Sequence, residues 1–141
     1  MAFKASAAVL CSTLAIGVAS ADAATLVSAA FHRPTLTTRW MLDSGDCASA
    51  LSVSNRAKVD SYGFFTGWHA RWGSRNCLAT SNAKTLRDRA GAYYLAGRRL
   101  RPATYYVQLS YCHDSDFSIR QGNYYCRGSN VLRVRIPRPP N

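Results

Sequence analysis

Residues 100–112, LRPATYYVQLSYC, form the stretch that decides the fold. Two sets of side chains alternate along it: Tyr105, Val107, Leu109 and Tyr111 on one face, and Tyr106, Gln108 and Ser110 on the other. A period of two is typical of a β-strand that packs one face on a core. Pro102 marks a turn before the strand. We therefore expect a strand whose inner face is structural, with Tyr106 and Gln108 free to contact a partner.

Other short segments show the same period. TLTTRWML (35–42), SALSVSN (49–55) and VLRVRIP (131–137) alternate between apolar and polar residues, and TLVSAAF (25–31), AYYLA (92–96) and a short YGFF (62–65) are further candidate strands. Only AKTLRDRAGA (83–92) is ambiguous between helix and strand. Short alternating segments separated by Gly, Asn, Asp and Ser turns predict an all-β antiparallel sandwich of about seven strands.

One long segment interrupts this pattern. Residues 67–89 carry two tryptophans, a histidine and a cysteine without clear alternation. An irregular connection of that length in a compact domain is uncommon unless it is functional. We expect a long loop there that lacks a clear fourth strand.

The N-terminus has the order of features that defines a secretory signal peptide. Lys4 precedes an apolar run over 5–19, and Ala21-Asp22-Ala23 supplies an A-x-A cleavage site. No later segment approaches the roughly 20 apolar residues of a membrane span. We predict a signal peptide over 1–23, one domain over 24–136 and a Pro-rich tail over 137–141, in a protein secreted to the periplasm or the extracellular space.

Four cysteines remain after removal of the leader: Cys47, Cys77, Cys112 and Cys126. An even number in an exported domain predicts two disulfides, with three possible connectivities. Their wide spacing and the absence of a C-x-x-C pair argue against a zinc site. We expect no metal and no cofactor.

The charge is strongly asymmetric. Eighteen lysines and arginines face seven acidic residues, all aspartate, for a formal net charge of +11. Such a field attracts anionic partners, among them acidic polysaccharides, cell-wall polymers and nucleic acid. An arginine-rich composition that serves only solubility is the alternative.

Two stretches resemble the fibronectin type III family. LTTRWML (36–42) places Trp40 on a second strand, where this family has a core tryptophan, and LRPATYYVQL (100–109) is similar to the Leu-x-Pro-small-x turn that leads into its tyrosine-bearing sixth strand. The chain looks closest to small secreted bacterial modules of this type. The alternation favours Tyr105 over Tyr106 as the corner tyrosine, although this makes the turn one residue shorter than usual. The resemblance implies adhesive or ligand-presenting modules that carry no catalysis of their own.

The strand positions implied by this resemblance also favour one disulfide connectivity. Cys112 would leave the sixth strand and Cys126 would precede the seventh, so this pair can close the intervening loop. Cys47 and Cys77 would then form the second bridge.

Two groups of residues are candidates for ligand binding. GWHARWG (67–73) and the residues after it offer indole rings for stacking and guanidinium groups for charge, from Trp68, Trp72, Arg71 and Arg75. The outer sheet face would add Tyr106, Gln108, Arg133 and Arg135, with guanidinium groups suited to phosphate or carboxylate. Tryptophans that cover the core, and edge charges that prevent sheet association, are the structural alternatives.

No catalytic residue is predicted. The stretch CHDSD (112–116) offers two carboxylates, too few for a calcium site, and fits a solvated loop. His32, His69 and Lys58 or Lys84 could serve a small secreted ribonuclease, but no motif places them together. We expect a non-catalytic recognition or adhesion module whose partner is an anionic polysaccharide, a cell-wall polymer or another surface protein. A cationic effector or RNase-like enzyme is the alternative.

Overall fold

The computed structural model describes residues 24–73, 75–113 and 126–141. Within these ranges the chain forms ten β-strands and no helix, so it has no helix long and apolar enough to cross a membrane. The strands are β1 (Thr25–His32), β2 (Thr35–Met41), β3 (Asp46–Ser54), β4 (Ala70–Trp72), β5 (Ser81–Thr85), β6 (Arg87–Arg89), β7 (Ala92–Leu95), β8 (Arg98–Leu100), β9 (Ala103–His113) and β10 (Cys126–Ile136). The predicted leader and the predicted loop at 114–125 lie outside the described residues.

Seven of these strands form two antiparallel sheets. One has the order β1-β2-β5, and the other has the order β10-β9-β3-β4. A single hydrophobic core takes Leu36 and Trp40 from the first sheet and Leu51, Val107 and Leu109 from the second. The predicted all-β class and the antiparallel pairing are confirmed.

The predicted alternation appears in the burial of the strands. Tyr105, Val107, Leu109 and Tyr111 of β9 all face the core. On β2 the same holds for Leu36, Thr38 and Trp40, and on β10 Arg133 and Arg135 are exposed while Val134 and Ile136 are buried. The ladder ends at Ile136, where the Pro-rich tail begins.

Part of the outer face of the four-stranded sheet is buried as well, because residues 55–69 fold over it. We call residues 55–69 the covering segment. The Asp60 carboxylate accepts hydrogen bonds from the backbone of Tyr62 (2.9 Å) and Phe64 (3.0 Å), which closes a tight turn. Phe65 is buried and forms only an isolated bridge with Val59. The prediction of a strand at YGFF is therefore wrong.

The stretch from 67 to 89 is more regular than its sequence predicts. It contains β4, which pairs with β3, and β5, which pairs with β2, and its last three residues are β6. Trp40 of β2 donates its indole N–H to the Ala79 carbonyl (2.9 Å), which ties the stretch to the core, and within the stretch Trp72 donates to the Asn82 amide oxygen (3.0 Å). The expected long irregular loop without a fourth strand is a wrong prediction.

A third, three-stranded antiparallel sheet of order β6-β7-β8 lies between β5 and β9 in the sequence. Its two hairpins have two-residue loops, Ala90-Gly91 and Ala96-Gly97, and all four residues have positive φ. Positive φ at both loop positions is the geometry that matches the twist of a hairpin. The ambiguous stretch 83–92 therefore forms strand and a hairpin turn, and no helix.

The corner before β9 has the predicted tyrosine. The hydroxyl of Tyr105 donates to the carbonyl of Arg101 at 3.0 Å, and its ring is only 4% exposed. Tyr105, rather than Tyr106, is the corner residue.

Both predicted disulfides, Cys47–Cys77 and Cys112–Cys126, are present. Cys112 lies directly opposite Cys126 on one side and opposite Cys47 on the other. Three cysteines therefore occupy one row across β10, β9 and β3, at one end of the four-stranded sheet.

A side-chain amide joins the edges of the two main sheets. Asn130 in β10 accepts from the backbone N–H of Leu26 (2.7 Å) and donates to the carbonyl of Leu26 (2.9 Å). These two bonds substitute for a backbone bridge between β1 and β10, and they satisfy strand-edge groups that would otherwise need water.

We expect Asn130→Leu to lower the free energy of unfolding by about 1 kcal/mol, because both hydrogen bonds are lost at a partly solvated site. Urea denaturation followed by circular dichroism measures this change. Asn130→Asp keeps the acceptor for the Leu26 N–H but turns a carboxylate oxygen toward the Leu26 carbonyl oxygen, so it should not recover the stability of the parent. An Asn130→Leu variant as stable as the parent would contradict this role.

Candidate anion-binding site

Antiparallel pairing brings several predicted site residues to one end of the four-stranded sheet. β3 and β10 finish at this end, and β4 and β9 begin there. The residues that flank those strand ends include Asn55, Trp68, His69 and Arg135, together with the arginines that precede β9. The cysteine row marks the opposite end, so we call the first the cationic end.

An open depression of about 500 Å³ lies at the cationic end. It is lined by Asn55, His69, Arg98, Arg99, Arg101 and Tyr105. All three arginines are exposed, and the described lining contains no carboxylate to neutralise them. We call this depression the cationic cleft. Guanidinium groups bind phosphate, sulfate and carboxylate groups through paired N–H donors.

Two side chains hold the backbone of the arginines in place. The His69 Nε2 lies 2.6 Å from the Arg99 carbonyl oxygen. Because a carbonyl oxygen can only accept, Nε2 carries the proton in this contact. Tyr105 donates to the Arg101 carbonyl, and burial raises the pKa of its hydroxyl, which keeps it protonated as the donor. Two hydrogen bonds to the backbone of Arg99 and Arg101 thus fix the segment that carries the positive charge of the cleft.

His69 itself is held by β3. Its backbone N–H donates to the Val53 carbonyl at 2.7 Å, and the Ser54 hydroxyl donates to the Gly67 carbonyl at 2.8 Å. Between these two anchors the side chain of Trp68 is 49% exposed. Trp68 does not line the cleft, but it directly precedes the lining residue His69, and an exposed indole can stack on a sugar ring or a base. Trp68 therefore keeps its place as a candidate.

The arginines of the outer face lie next to this end. Arg133 pairs with half-buried Tyr106, which in turn pairs with Ser54, while Arg135 pairs with Thr104. The predicted neighbours Arg133 and Tyr106 are thus brought together, and both arginines are exposed.

The two arginines of the tryptophan segment end up apart. Arg71 is exposed on β4, opposite Ser52 of β3. Arg75 is also exposed, but it follows β4 toward the cysteine row. Arg75 is therefore remote from the cationic cleft.

Two predicted contact residues are not on the surface. Gln108 is 1% exposed, because the covering segment lies over it, so the expectation that it is free on the outer face is wrong. Trp72 is 8% exposed and its ring belongs to the core cluster. For this tryptophan the structural alternative, coverage of the core, is the correct interpretation.

The groups considered for catalysis and metal binding are not assembled in the described ranges. His69 and Lys84 line separate depressions. No group of three or more His, Cys, Asp or Glu side chains suited to a metal ion occurs among the residues described. Asp114 and Asp116 of the CHDSD stretch lie outside them.

Arg98, Arg99 and Arg101, which line the cleft, are not among the ligand-binding candidates that the sequence indicates. The signal was present as three guanidinium groups within four residues. Their gathering with Asn55 and His69 follows from strand register, which the sequence alone does not provide. Compared with known proteins, the chain matches no family model, no curated protein and no solved structure.

Proposed function

We propose that this chain is a secreted, non-catalytic recognition module with a fibronectin type III-like β-sandwich, and that it binds an anionic polymer through the cationic cleft. The observation that carries the binding proposal is the cleft itself, with three exposed arginines on a hydrogen-bonded wall and no carboxylate in the described lining. A cleft that is lined by charges of one sign raises the local concentration of oppositely charged ligands.

The sandwich proposal is supported by strand order. In immunoglobulin-type sandwiches the first, second and fifth strands share one sheet, and the third, sixth and seventh share the other. With β6, β7 and β8 set aside as an insertion, the chain follows this division, except that β4 pairs with β3. The tyrosine corner at Tyr105 and the core position of Trp40 agree with the resemblance in the sequence.

Secretion is supported by the two disulfides. Disulfides persist in oxidising compartments and are rare in the cytosol. Polymers that carry sulfate, phosphate or carboxylate groups are the abundant anionic surfaces in such compartments, which fits the formal net charge of +11.

The test is binding of fluorescent heparin, measured by anisotropy at several salt concentrations. We expect Arg98→Gln/Arg101→Gln to weaken binding about tenfold at roughly 0.1 M salt, because two charge-assisted contacts are lost. Arg39→Gln/Arg127→Gln removes the same charge from exposed positions outside the cleft and should change binding less than threefold.

Three results would redirect this proposal. Equal losses in the two double variants would mean that only net charge matters. Loss confined to Arg133→Ala/Arg135→Ala would move the site to the outer sheet face. Hydrolysis of RNA that is abolished by His69→Ala would replace the non-catalytic module with the RNase-like alternative.

A further inference from the structure

A second cationic depression lies on the inserted β6-β7-β8 sheet. Its volume is about 580 Å³, and it is lined by Lys84, Thr85, Arg87, Arg89, Tyr94, Ala96 and Gly97. The lining includes three cations and no acid. Asp88 is the one aspartate of β6, and strand alternation directs it to the face opposite Arg87 and Arg89.

One row of cross-strand neighbours connects this second depression with the cationic cleft. Arg87 on β6 lies opposite Tyr94 on β7, and Tyr94 lies opposite Arg99 on β8. Residues directly opposite each other project from the same face of a sheet. Arg87 and Tyr94 line the second depression and Arg99 lines the cleft, so the row runs from one to the other. The α-carbons of its two arginines are two strand spacings apart, roughly 10 Å.

The other face of this small sheet is anchored in the core. Tyr93 and Leu100 are opposite each other and are 0% and 1% exposed. Phe31 of β1 contacts the Tyr93 ring edge-on, with centroids 5.1 Å apart. Leu86, between β5 and β6, is also buried, and its N–H donates to the Pro34 carbonyl at 2.8 Å. The cations of the row are therefore presented by a fixed platform, which lowers the entropy cost of binding.

The chemistry of the row favours a polysaccharide over a nucleic acid. Proteins that hold single strands stack successive bases on a series of aromatic side chains. This row has one ring, half-buried Tyr94, between two arginines. Two groups of cations with only one aromatic ring between them match the spaced anionic groups of an acidic polysaccharide better than the successive bases of a nucleic acid.

We propose that an extended acidic polysaccharide lies across the β6-β7-β8 sheet and is bound at both depressions, with sulfate or carboxylate groups on the arginines of the cleft and on Arg87 and Arg89. This inference rests on the proposed function, because the cleft supplies one of the two contacts. It adds that chain length determines affinity: a short saccharide fills the cleft alone, and a longer one also reaches the second depression.

The test compares a heparin disaccharide, followed by NMR titration, with a heparin octasaccharide, followed by calorimetry. In Arg87→Gln/Arg89→Gln the octasaccharide should bind about tenfold more weakly, while the affinity for the disaccharide stays within about twofold. The slope of affinity against salt for the octasaccharide should become shallower, since fewer counterions are released. Arg39→Gln/Arg127→Gln is the control with equal charge loss, and circular dichroism verifies the fold of each variant.

The outcomes separate this inference from the proposed function. If Arg98→Gln/Arg101→Gln weakens both saccharides but Arg87→Gln/Arg89→Gln weakens neither, the cleft stands and the track across the sheet is refuted. If the parent protein binds neither saccharide, the proposed function fails and the inference fails with it. Tighter binding of oligothymidylate than of the octasaccharide, lost in Tyr94→Leu, would show a nucleic-acid site and overturn the polysaccharide class.

Discussion

In a Gln108→Leu variant the free energy of unfolding is expected to fall by about 3 kcal/mol, because three backbone groups, two of them buried, lose their hydrogen-bond partner. The amide oxygen of Gln108 accepts from the N–H of Phe65 at 3.1 Å. Its amide nitrogen donates to the carbonyl of Ser129 at 3.0 Å and to the carbonyl of Gly63. One side chain thus links β9, β10 and the covering segment.

Leucine fills a similar space, so this substitution tests the hydrogen bonds rather than the packing. Each buried polar group left unpaired costs roughly 1–3 kcal/mol. Water has little room to replace the amide, because a Cβ on Gly128 would come within 2.7 Å of the Gln108 nitrogen and within 2.6 Å of the Gly63 carbonyl carbon.

Urea denaturation followed by far-UV circular dichroism measures the loss. Hydrogen exchange at the Phe65 amide should accelerate by a larger factor than at amides of β2, because the covering segment loses its anchor. Tyr106→Phe, on the half-buried neighbouring position of the same face, is the matched control and should cost less than about 0.5 kcal/mol. A loss below about 1 kcal/mol in Gln108→Leu would show that the covering segment is held by other contacts.

This position also shows how far the sequence could predict the structure. The period of two correctly separated the inner residues of β9 from Gln108 and Tyr106. It could not reveal that residues 55–69 return over the outer face, because that contact depends on backbone groups with no sequence signature. A polar glutamine is compatible with an exposed surface and with a buried hydrogen-bonded network, and only the hydrogen-bond partners around it determine which of the two applies.

Short strands were missed for a different reason. β4 and β6 have three residues each, too few for a periodic pattern to stand out. The two hairpins of the inserted sheet use Ala-Gly loops, whereas Asn-Gly and Asp-Gly are the strong signals for this turn. The second depression depends on those hairpins, so sequence reasoning had no basis for bringing Lys84 and Arg89 together. The three arginines of the cleft form a recognisable cluster in the sequence, but only the register of the antiparallel strands places them next to His69.

Removal of the Cys47–Cys77 disulfide should cost more stability than removal of the Cys112–Cys126 disulfide. The bridges span sequence separations of 30 and 14, and the loss of chain entropy on cross-linking gives roughly 3.7 and 3.0 kcal/mol. The surroundings of the two disulfides in the folded protein should increase this difference in stability. Cys112 and Cys126 belong to strands that are already paired, whereas Cys77 lies between strands, in a connection whose position also depends on the backbone pair Ala48–Asn76.

The comparison requires double variants. Cys47 lies opposite Cys112, so a lone Cys77→Ala would leave a thiol beside the other disulfide and permit exchange. We expect Cys47→Ala/Cys77→Ala to lower the free energy of unfolding by about 4 kcal/mol and Cys112→Ala/Cys126→Ala by about 3 kcal/mol, both measured by urea denaturation. The intrinsic tryptophan fluorescence should change in the first variant alone, since the Trp40 and Trp72 indoles are bonded to Ala79 in the released connection and to Asn82 just after it. The reverse order of stabilities would mean that the connection after β4 is fixed by its tryptophan hydrogen bonds and that its disulfide is secondary.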